Sequence, residues 1–193
     1  LIAKNVIAAL LVLLVFITQI NKMEGMTTGE KLHNKNEYVC MPCGRDCDKT
    51  VYYEPGTCSH CSMELVLKKS ITNAAVKPSE LCNFINKKGA ANIVLLDVRT
   101  REEFNGTAQE KYGRLKNAIN IPIQELNSRI AELEKYKEME IVVYCSHSHR
   151  SPRASYMLTQ NGFAKVTNML YGMSEWKQQV TNKDCNQQLY IKQ

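Results

Sequence analysis

The sequence predicts an α/β fold in which helices cover both faces of a parallel sheet. Apolar runs rich in β-branched residues, the clearest at 92–98 and 141–145, alternate along residues 70–181 with segments typical of helices. Alternation of this kind builds parallel sheets, whose strands are covered on both faces and therefore accept unbroken apolar runs. We predict one α/β domain over 70–181, with its ligand site at the carboxyl ends of the strands.

Local signals place the elements of this domain. Pro78 and Ser79 open the first helix and Gly89 closes it, while Gly162 stops a later one. Helices are predicted at 79–88, 100–105, 124–136, 152–161 and 174–180. Strands are predicted at 92–98, 118–121, 141–145 and 166–170. The 124–136 segment has the pattern of an amphipathic helix, with Ile130 and Leu133 on its inward face.

Length and charge restrict the class of protein. The 193 residues leave room for this domain and a small module, but not for a second full core. Hydrophobic residues make up 44% of the chain, which is typical of globular proteins. The net charge of +6 is interleaved with acidic residues and forms no basic stripe. The charge pattern therefore argues against a nucleic-acid-binding protein.

The two ends of the chain differ in composition from the domain. In residues 1–20, Lys4 precedes an apolar stretch from 6 to 18 that is short for a bilayer span of about 20 residues but suits a signal peptide. We expect export to the periplasm, with this segment cleaved or kept as an N-terminal membrane anchor. Residues 21–37 have the composition of a linker, and residues 182–193 form a polar tail.

A cysteine-rich module is predicted between the linker and the α/β domain, at 38–67. Two Cys-x2-Cys pairs, separated by fourteen residues, can place four thiolates around a tetrahedral metal ion. The pairs are Cys40 with Cys43 and Cys58 with Cys61. Cys47 and His60 are alternate ligands. So short a segment cannot fold on its own apolar surface, and a metal or disulfides must stabilise it. In an exported protein disulfides compete with a metal.

The sequences of two segments of the module, Tyr38–Cys43 and Glu54–Leu65, resemble the short heavy-metal-binding domain attached to bacterial metal-efflux proteins. This resemblance implies a soft metal ion as a partner. Zinc is the expected structural ion, and copper(I) is the alternative because Met41 and Met63 offer thioether ligands.

The segment 141–151 has the features of a reactive thiolate site. The apolar strand delivers Cys145 into a polar loop that Arg150 closes, and a helix follows. Main-chain N–H groups of such a loop, together with the helix N-terminus, stabilise a thiolate and any anion bound to it. We take Cys145 as the nucleophile and Arg150 as the group that holds the loop or the anionic end of a substrate. The other candidate loop residues are Ser146, His147, Ser148, His149 and Ser151.

Four segments in order resemble the signature motifs of the rhodanese family. They are residues 95–104, 113–122, 144–151 and 162–166. The resemblance implies a single-domain sulfurtransferase in which Cys145 takes sulfur from a thiosulfate or persulfide donor, carries it as a persulfide and passes it to a thiol or cyanide. No cofactor is implied for the transfer itself. Thiosulfate-preferring members carry Arg directly after the cysteine and Gly three positions after it, where this chain has Ser146 and Ser148. The donor therefore stays open.

Two other functions compete with sulfur transfer. A phosphatase or arsenate reductase is the less favoured one, because four residues separate Cys145 from Arg150, whereas the related phosphatases carry one more and a His where Tyr144 stands. The other is a non-catalytic scaffold that only binds soft metal or sulfur. Outside these sites, Asp97 and Arg99 are expected to be structural.

Overall fold

The computed structural model describes residues 36–180 and 185–193. The predicted leader at 1–20 and the linker up to residue 35 lie outside the described residues. No helix in the described ranges combines the length and the hydropathy that a bilayer crossing requires. Residues 37–193 belong to one compact unit, so the cysteine-rich module and the α/β domain are parts of the same body.

The bounds of the elements are as follows. The strands are β1 (Tyr38–Val39), β2 (Val51–Tyr52), β3 (Val66–Leu67), β4 (Ala74–Val76), β5 (Ile93–Asp97), β6 (Arg114–Leu115), β7 (Ile119–Asn120), β8 (Glu140–Tyr144), β9 (Val166–Met169) and β10 (Tyr190–Ile191). The α-helices are α1 (Leu81–Lys88), α2 (Arg101–Asn105), α3 (Ile123–Leu126), α4 (Arg150–Gln160), α5 (Trp176–Gln179) and α6 (Cys185–Leu189). Short 3₁₀ helices occupy Asp46–Lys49, Lys68–Ser70, Pro78–Glu80, Ala90–Asn92, Ile130–Tyr136 and Met173–Glu175.

The main sheet has five strands in the order β4-β9-β8-β5-β7, and every pairing in it is parallel. Strand β8 lies at its centre, and all five of its residues are buried. Its side chains alternate between two apolar clusters. Val143 packs on one face with Leu158 of α4, whereas Val142 packs on the other with Leu81 of α1. The predicted α/β fold, with helices on both faces of a parallel sheet, is confirmed.

The single helix predicted at 124–136 is wrong. The segment forms α3 and then a separate 3₁₀ helix, with a break at Asn127–Arg129. At the break the Ser128 hydroxyl donates to the Glu125 carbonyl at 2.9 Å. The same carbonyl still accepts the helical hydrogen bond from the Arg129 N–H at 3.0 Å, so the hydroxyl does not replace that bond. The Arg129 N–H also lies 3.3 Å from the Leu126 carbonyl, an i→i+3 contact of the type that continues in the 3₁₀ helix Ile130–Tyr136. Apolar periodicity therefore continues across a change from α-helical to 3₁₀ bonding.

The end of the chain carries more structure than the predicted polar tail. Strand β10 pairs antiparallel with β6, with Tyr190 opposite Leu115. The Tyr190 ring also stacks on Trp176, with ring centroids 6.1 Å apart. Helix α6 begins at Cys185, which forms a disulfide with Cys82 of α1. These contacts attach the last nine residues to the α/β domain.

The cysteine-rich module is a small antiparallel sheet in the order β2-β1-β3. The interior of the module consists mostly of sulfur-bearing side chains instead of a normal apolar core. Buried members are Cys40, Met41, Cys43, Cys47, Cys58 and Met63. A module with so little apolar surface depends on bonds between these thiols and a ligand, or on its contacts with the α/β domain.

Candidate functional site

Cys145 lies at the carboxyl end of the central strand, one residue after β8 ends. Its side chain is fully buried. The Sγ atom donates to the Ser151 hydroxyl at 3.4 Å, and this hydroxyl can donate to the sulfur once the thiol is ionised. Helix α4 begins at Arg150, five residues after Cys145, so the reactive loop leads directly into the N-terminus of this helix. This is the position that the sequence predicts for the nucleophile.

The loop is held by an ion pair that the sequence does not predict. Arg150 donates through Nη1 and Nη2 to the two oxygens of Glu103, at 2.6 and 2.7 Å. The Ser146 hydroxyl donates to the same carboxylate at 2.8 Å. Burial alone would raise the pKa of Glu103, but hydrogen bonds from Arg150, the Thr100 N–H and Ser146 lower it to about 2. The carboxylate is therefore ionised at neutral pH and binds both ends of the loop.

This geometry supports one of the two roles predicted for Arg150. Because the Arg150 guanidinium binds both carboxylate oxygens of Glu103, it holds the loop closed and has little capacity left for a substrate anion. Glu103 could have been found only in part from the sequence. Thr100 and Glu103 have the spacing of a capping box at the start of α2, and the structure contains that box. Nothing local links Glu103 to a partner 47 positions away.

The turn Tyr171–Ser174 supports the loop from behind. The Met173 N–H donates to the Cys145 carbonyl at 2.9 Å, and the Ser174 N–H donates to the Ser146 carbonyl at 3.0 Å. Gly172 has a positive φ of 75°, and a Cβ at this position would lie 2.7 Å from the Cys145 carbonyl oxygen. Only glycine fits so close to the loop backbone.

The remaining candidates of the loop differ in environment. Ser148 is buried in the left-handed conformation, with φ of 59°, and its hydroxyl has no partner in the described ranges. His147 and His149 are exposed. The Tyr112 hydroxyl and His147 Nε2 form a hydrogen bond of 3.1 Å. Among the described residues neither histidine is hydrogen-bonded to Cys145, and both lie on the exposed side of the loop.

Asp97 and Arg99 form the structural pair that we expected. Both side chains are fully buried, and Arg99 Nη2 lies 2.7 Å from Asp97 Oδ2. The same nitrogen donates to the Gly113 carbonyl at 2.9 Å. The pair ties the end of β5 to the segment before β6 and does not reach Cys145.

The thiols of the module converge, with one change from the predicted set. The Sγ atoms of Cys40, Cys47, Cys58 and Cys61 all lie within 4.8 Å of one another, and we call them the thiol cluster. The predicted ligand Cys43 lies beside it, with Sγ 3.6 Å from Cys47 Sγ and 3.2 Å from Asp48 Oδ1. His60 is exposed, and its Nδ1 bonds to Ser59. The alternate Cys47 thus stands where Cys43 was expected.

The thiol cluster has the chemistry and the dimensions of a soft-metal site. Tetrahedral zinc with Zn–S bonds of about 2.3 Å separates its sulfur ligands by roughly 3.8 Å, which the cluster accommodates. Burial would raise the pKa of Cys58, but the N–H groups of His60 and Cys61, with smaller contributions from the Cys61 and Tyr52 side chains, lower it to about 6. N–H groups that point at a sulfur favour the thiolate that a metal requires.

The module and the reactive loop are attached to the same turn. Asn168 Nδ2 donates to the Pro42 carbonyl at 2.8 Å, and the Tyr171 N–H donates to the Cys43 carbonyl at 3.4 Å. The Tyr171 ring packs against Gly44, where a Cβ would lie 2.7 Å from it. Tyr171 begins the turn that supports Cys145, so one short segment contacts both sites.

A cavity of about 590 Å³ separates the module from the reactive loop. Its wall on the module side comes from the segment 56–64, and its wall on the domain side comes from the start of α4 and the residue before it. The lining residues are Gly56, Thr57, Cys61, Ser62, Met63, Glu64, His149, Arg150 and Arg153. The cavity therefore adjoins both the thiol cluster and the Cys145 loop.

Comparison with known proteins identifies the α/β domain. Residues 78–179 match the Rhodanese-like domain family. A putative mitochondrial thiosulfate sulfurtransferase of Schizosaccharomyces pombe is 29% identical over 100 residues, which are 49% of this chain and 70% of that protein. A sulfurtransferase of Allochromatium vinosum is 31% identical over 85 residues, 44% of this chain and 72% of the relative.

Other relatives carry different names or none that states an activity. An uncharacterized protein of Bacillus subtilis is 33% identical over 90 residues, covering 47% of this chain and 65% of its own length, slightly less than two thirds. A tRNA uridine(34) hydroxylase of Cytophaga hutchinsonii is 26% identical over 68% of this chain, which spans 40% of the hydroxylase. A rhodanese-related protein of Thermoplasma volcanium superposes with a TM-score of 0.45 at 28% identity, over 54% of this chain and 91% of its own. With the family match extending over more than half of the residues, this chain belongs to the Rhodanese-like domain family.

Proposed function

We propose that this protein is a sulfurtransferase that moves sulfane sulfur through a persulfide on Cys145. The observation that carries the proposal is the placement of Cys145 at the end of the central strand, in a loop that Glu103 and Arg150 hold closed. Relatives named as sulfurtransferases support it. The thiosulfate or persulfide donor and the thiol or cyanide acceptor are parts of the proposal.

The residues of the loop suit both halves of such a reaction. In the first, the Cys145 thiolate attacks the outer sulfur of the donor, the donor's S–S bond breaks, and sulfite or a thiolate leaves with the electron pair. In the second, an acceptor attacks the outer sulfur of the persulfide and Cys145 leaves as the thiolate. Both steps place negative charge on sulfur next to loop N–H groups, the Ser151 hydroxyl and the N-terminus of α4.

The test is the mass of the intact protein after treatment with a donor. Thiosulfate and, separately, a small-molecule persulfide should each be tried, and the expected product is the chain with one added sulfur that cyanide removes. Cys145→Ala should show no adduct, whereas Cys43→Ala, a matched buried thiol outside the loop, should still form it. Failure of both donors to load the wild-type protein would contradict the proposal.

A second function is favoured by the thiol cluster. We propose that the thiol cluster binds one soft metal ion, with Cys40, Cys47, Cys58 and Cys61 as ligands. This proposal does not depend on the activity of Cys145. Zinc is the expected ion and would stabilise the fold of the module. Copper(I) is the alternative, since the buried Met41 and Met63 lie in the same interior. Metal analysis of the purified protein decides between the two ions. A protein that binds metal but forms no persulfide on Cys145 would instead be a non-catalytic scaffold.

We also propose that the protein acts outside the cytoplasm, as a periplasmic or membrane-anchored protein. The apolar composition of residues 1–20 supports export. The Cys82–Cys185 disulfide is a second support, because such bonds persist mainly in oxidising compartments. A fusion of the complete chain to a reporter that is active on only one side of the membrane tests this. Activity only on the cytoplasmic side would contradict it.

A further inference from the structure

The cavity between the module and the reactive loop holds one free charge of each sign. Arg150 lines it, but its guanidinium is bound to Glu103 and contributes no free charge. Arg153, one turn further along α4, also lines it and is exposed. No carboxylate in the part of the chain that the structure describes forms an ion pair with Arg153. Arg153 is therefore the cation that the cavity offers to a ligand.

The opposite charge comes from the module. Glu64 lines the same cavity, is exposed, and forms no ion pair within residues 36–180 and 185–193. Its backbone is fixed, because Glu64 forms a β-bridge with Thr57. Arg153 and Glu64 thus line this cavity from two different parts of the fold without pairing with each other, and both also line a second cavity of about 530 Å³. Such an arrangement fits a ligand that carries both charges.

The size of the cavity and its neighbours limit the ligand further. A volume of about 590 Å³ is within the range of small-molecule sites. His149 and Arg150, which form its domain side, are the last residue of the Cys145 loop and the first of α4. A molecule held there lies alongside the loop that carries the sulfur.

We propose that this cavity binds the sulfur acceptor, and that the acceptor is a small zwitterionic thiol of the amino-acid type. Arg153 binds its carboxylate, in the two-pronged geometry that guanidinium favours, and Glu64 binds its ammonium group. The inference rests on the proposed persulfide chemistry of Cys145. In the transfer, the thiol sulfur attacks the outer sulfur of the deprotonated persulfide. The S–S bond to Cys145 breaks, the electron pair stays on Cys145 Sγ, and the thiol proton leaves with the new small-molecule persulfide.

The test separates loading of Cys145 from unloading. The persulfide is first formed with a donor and verified by intact mass, and its loss is then followed against the concentration of four thiols. Cysteine carries both charges, N-acetylcysteine only the carboxylate, cysteamine only the ammonium group, and 2-mercaptoethanol neither. Each variant is compared with the wild-type protein on the same thiol, so that differences in intrinsic thiol reactivity cancel.

Arg153→Ala is expected to raise the half-saturating concentration of cysteine and N-acetylcysteine by roughly fivefold, as for a partly exposed ion pair, and to leave cysteamine and 2-mercaptoethanol unchanged. Glu64→Gln should raise the half-saturating concentration of cysteine and cysteamine only. The maximal unloading rate should stay within about twofold, because neither group touches the reacting sulfurs. Arg153→Lys keeps the charge without the fork and should give a smaller change than Arg153→Ala.

Matched controls are Lys165→Ala and Glu138→Gln, an exposed pair 3.9 Å apart near the opposite end of the central strands. Neither variant should change the half-saturating concentration of any of the four thiols. Equal effects of Arg153→Ala on all four thiols, or no effect on any of them, would overturn the assignment of the cavity. Failure to load the persulfide would instead contradict the proposed function, so the two failures are distinguishable.

Discussion

At the scale of single residues, the reactive loop depends on a carboxylate that belongs to another element. Glu103 of α2 accepts hydrogen bonds from Arg150 and Ser146, which lie on the two sides of the loop. Because Ser146 and Arg150 lie on either side of the loop that follows the buried Cys145, the ion pair holds the loop backbone in place around this thiol. The polar loop is thus organised by a group outside its own sequence.

Glu103→Gln should destabilise the protein and slow persulfide formation. The change leaves the half-buried Arg150 without a counter-charge, and we expect a loss of about 1–3 kcal/mol in the free energy of unfolding. Chemical denaturation at neutral pH measures the loss, and the rate of mass increase with donor measures loading. The neighbouring exposed Glu102, changed to Gln, is the control and should alter neither measurement.

The same pair predicts a pH dependence. The pKa of Glu103 is lowered from 4.5 to about 2 in the folded protein, so its contribution is complete above pH 4.5 and is lost as the pH falls towards 2. The difference in unfolding free energy between wild type and Glu103→Gln should therefore be constant between about pH 6 and 8 and shrink below pH 4.5. A difference that shrinks as the pH rises would contradict the assignment.

Metal binding separates the roles of two neighbouring cysteines. Cys47→Ser removes a thiol of the cluster and should lower the zinc affinity by at least about tenfold, whereas Cys43→Ser should largely retain it. The zinc affinity of both variants is compared by measuring zinc content after dialysis against a series of chelators of increasing affinity. Greater loss in Cys43→Ser than in Cys47→Ser would restore the ligand set expected from the Cys-x2-Cys spacing.

At the scale of elements, the turn Tyr171–Ser174 is the part of the fold that serves both sites. Its N–H groups at Met173 and Ser174 hold the loop backbone, while Tyr171 contacts Cys43 and Gly44 of the cysteine-rich module. Segments of this kind need a backbone that can approach another closely, which explains the glycine in the middle of the turn. Sequence periodicity predicts the strand before it and the helix after it, but not these contacts.

Gly172→Ala should disrupt the loop. The added Cβ would meet the carbonyl oxygens of Cys145 and Ser146, and alanine disfavours the positive φ. We expect a loss of at least about 2 kcal/mol in unfolding free energy together with slower loading of Cys145. Gly56→Ala is the matched control, because a Cβ there has no atom within 4 Å. Equal stability of the two variants would show that the loop does not need this close approach.

At the scale of the whole molecule, the end of the chain is attached to the α/β domain by covalent and apolar contacts. The Cys82–Cys185 disulfide joins residues 103 positions apart, and β10 extends the contact to β6. A cross-link over so long a loop restricts the unfolded chain more than the folded one. The disulfide therefore adds to the stability that the apolar core around the five-stranded sheet provides.

Loss of this disulfide should lower stability without changing sulfur chemistry. Cys82→Ser is expected to cost about 2–4 kcal/mol in unfolding free energy, measured by denaturant titration, with loading of Cys145 unchanged at low temperature. Adding a reductant should destabilise the wild-type protein but not the variant. A variant that loses loading in proportion to its stability would show that the tail also supports the loop.

Much of the fold could be predicted from the sequence because its signals are local. The apolar runs at 92–98 and 141–145 became β5 and β8, and Gly89 and Gly162 end helices as predicted. The 124–136 helix was wrong, since apolar periodicity does not distinguish α-helical from 3₁₀ bonding after Leu126. Strand β4 was not predicted, because three residues at a sheet edge leave too short a pattern.

By itself, the sequence determined the parallel α/β fold, the position of Cys145 at a strand end and the presence of a thiol-rich module, because strand periodicity and cysteine spacing are properties of neighbouring residues. The tertiary structure decided which groups meet. It paired Glu103 with Arg150, brought Cys47 into the thiol cluster beside Cys43, and placed Glu64 and Arg153 on one cavity. Those contacts join residues far apart in the chain, and only packing of the sheet, helices and module brings them within reach.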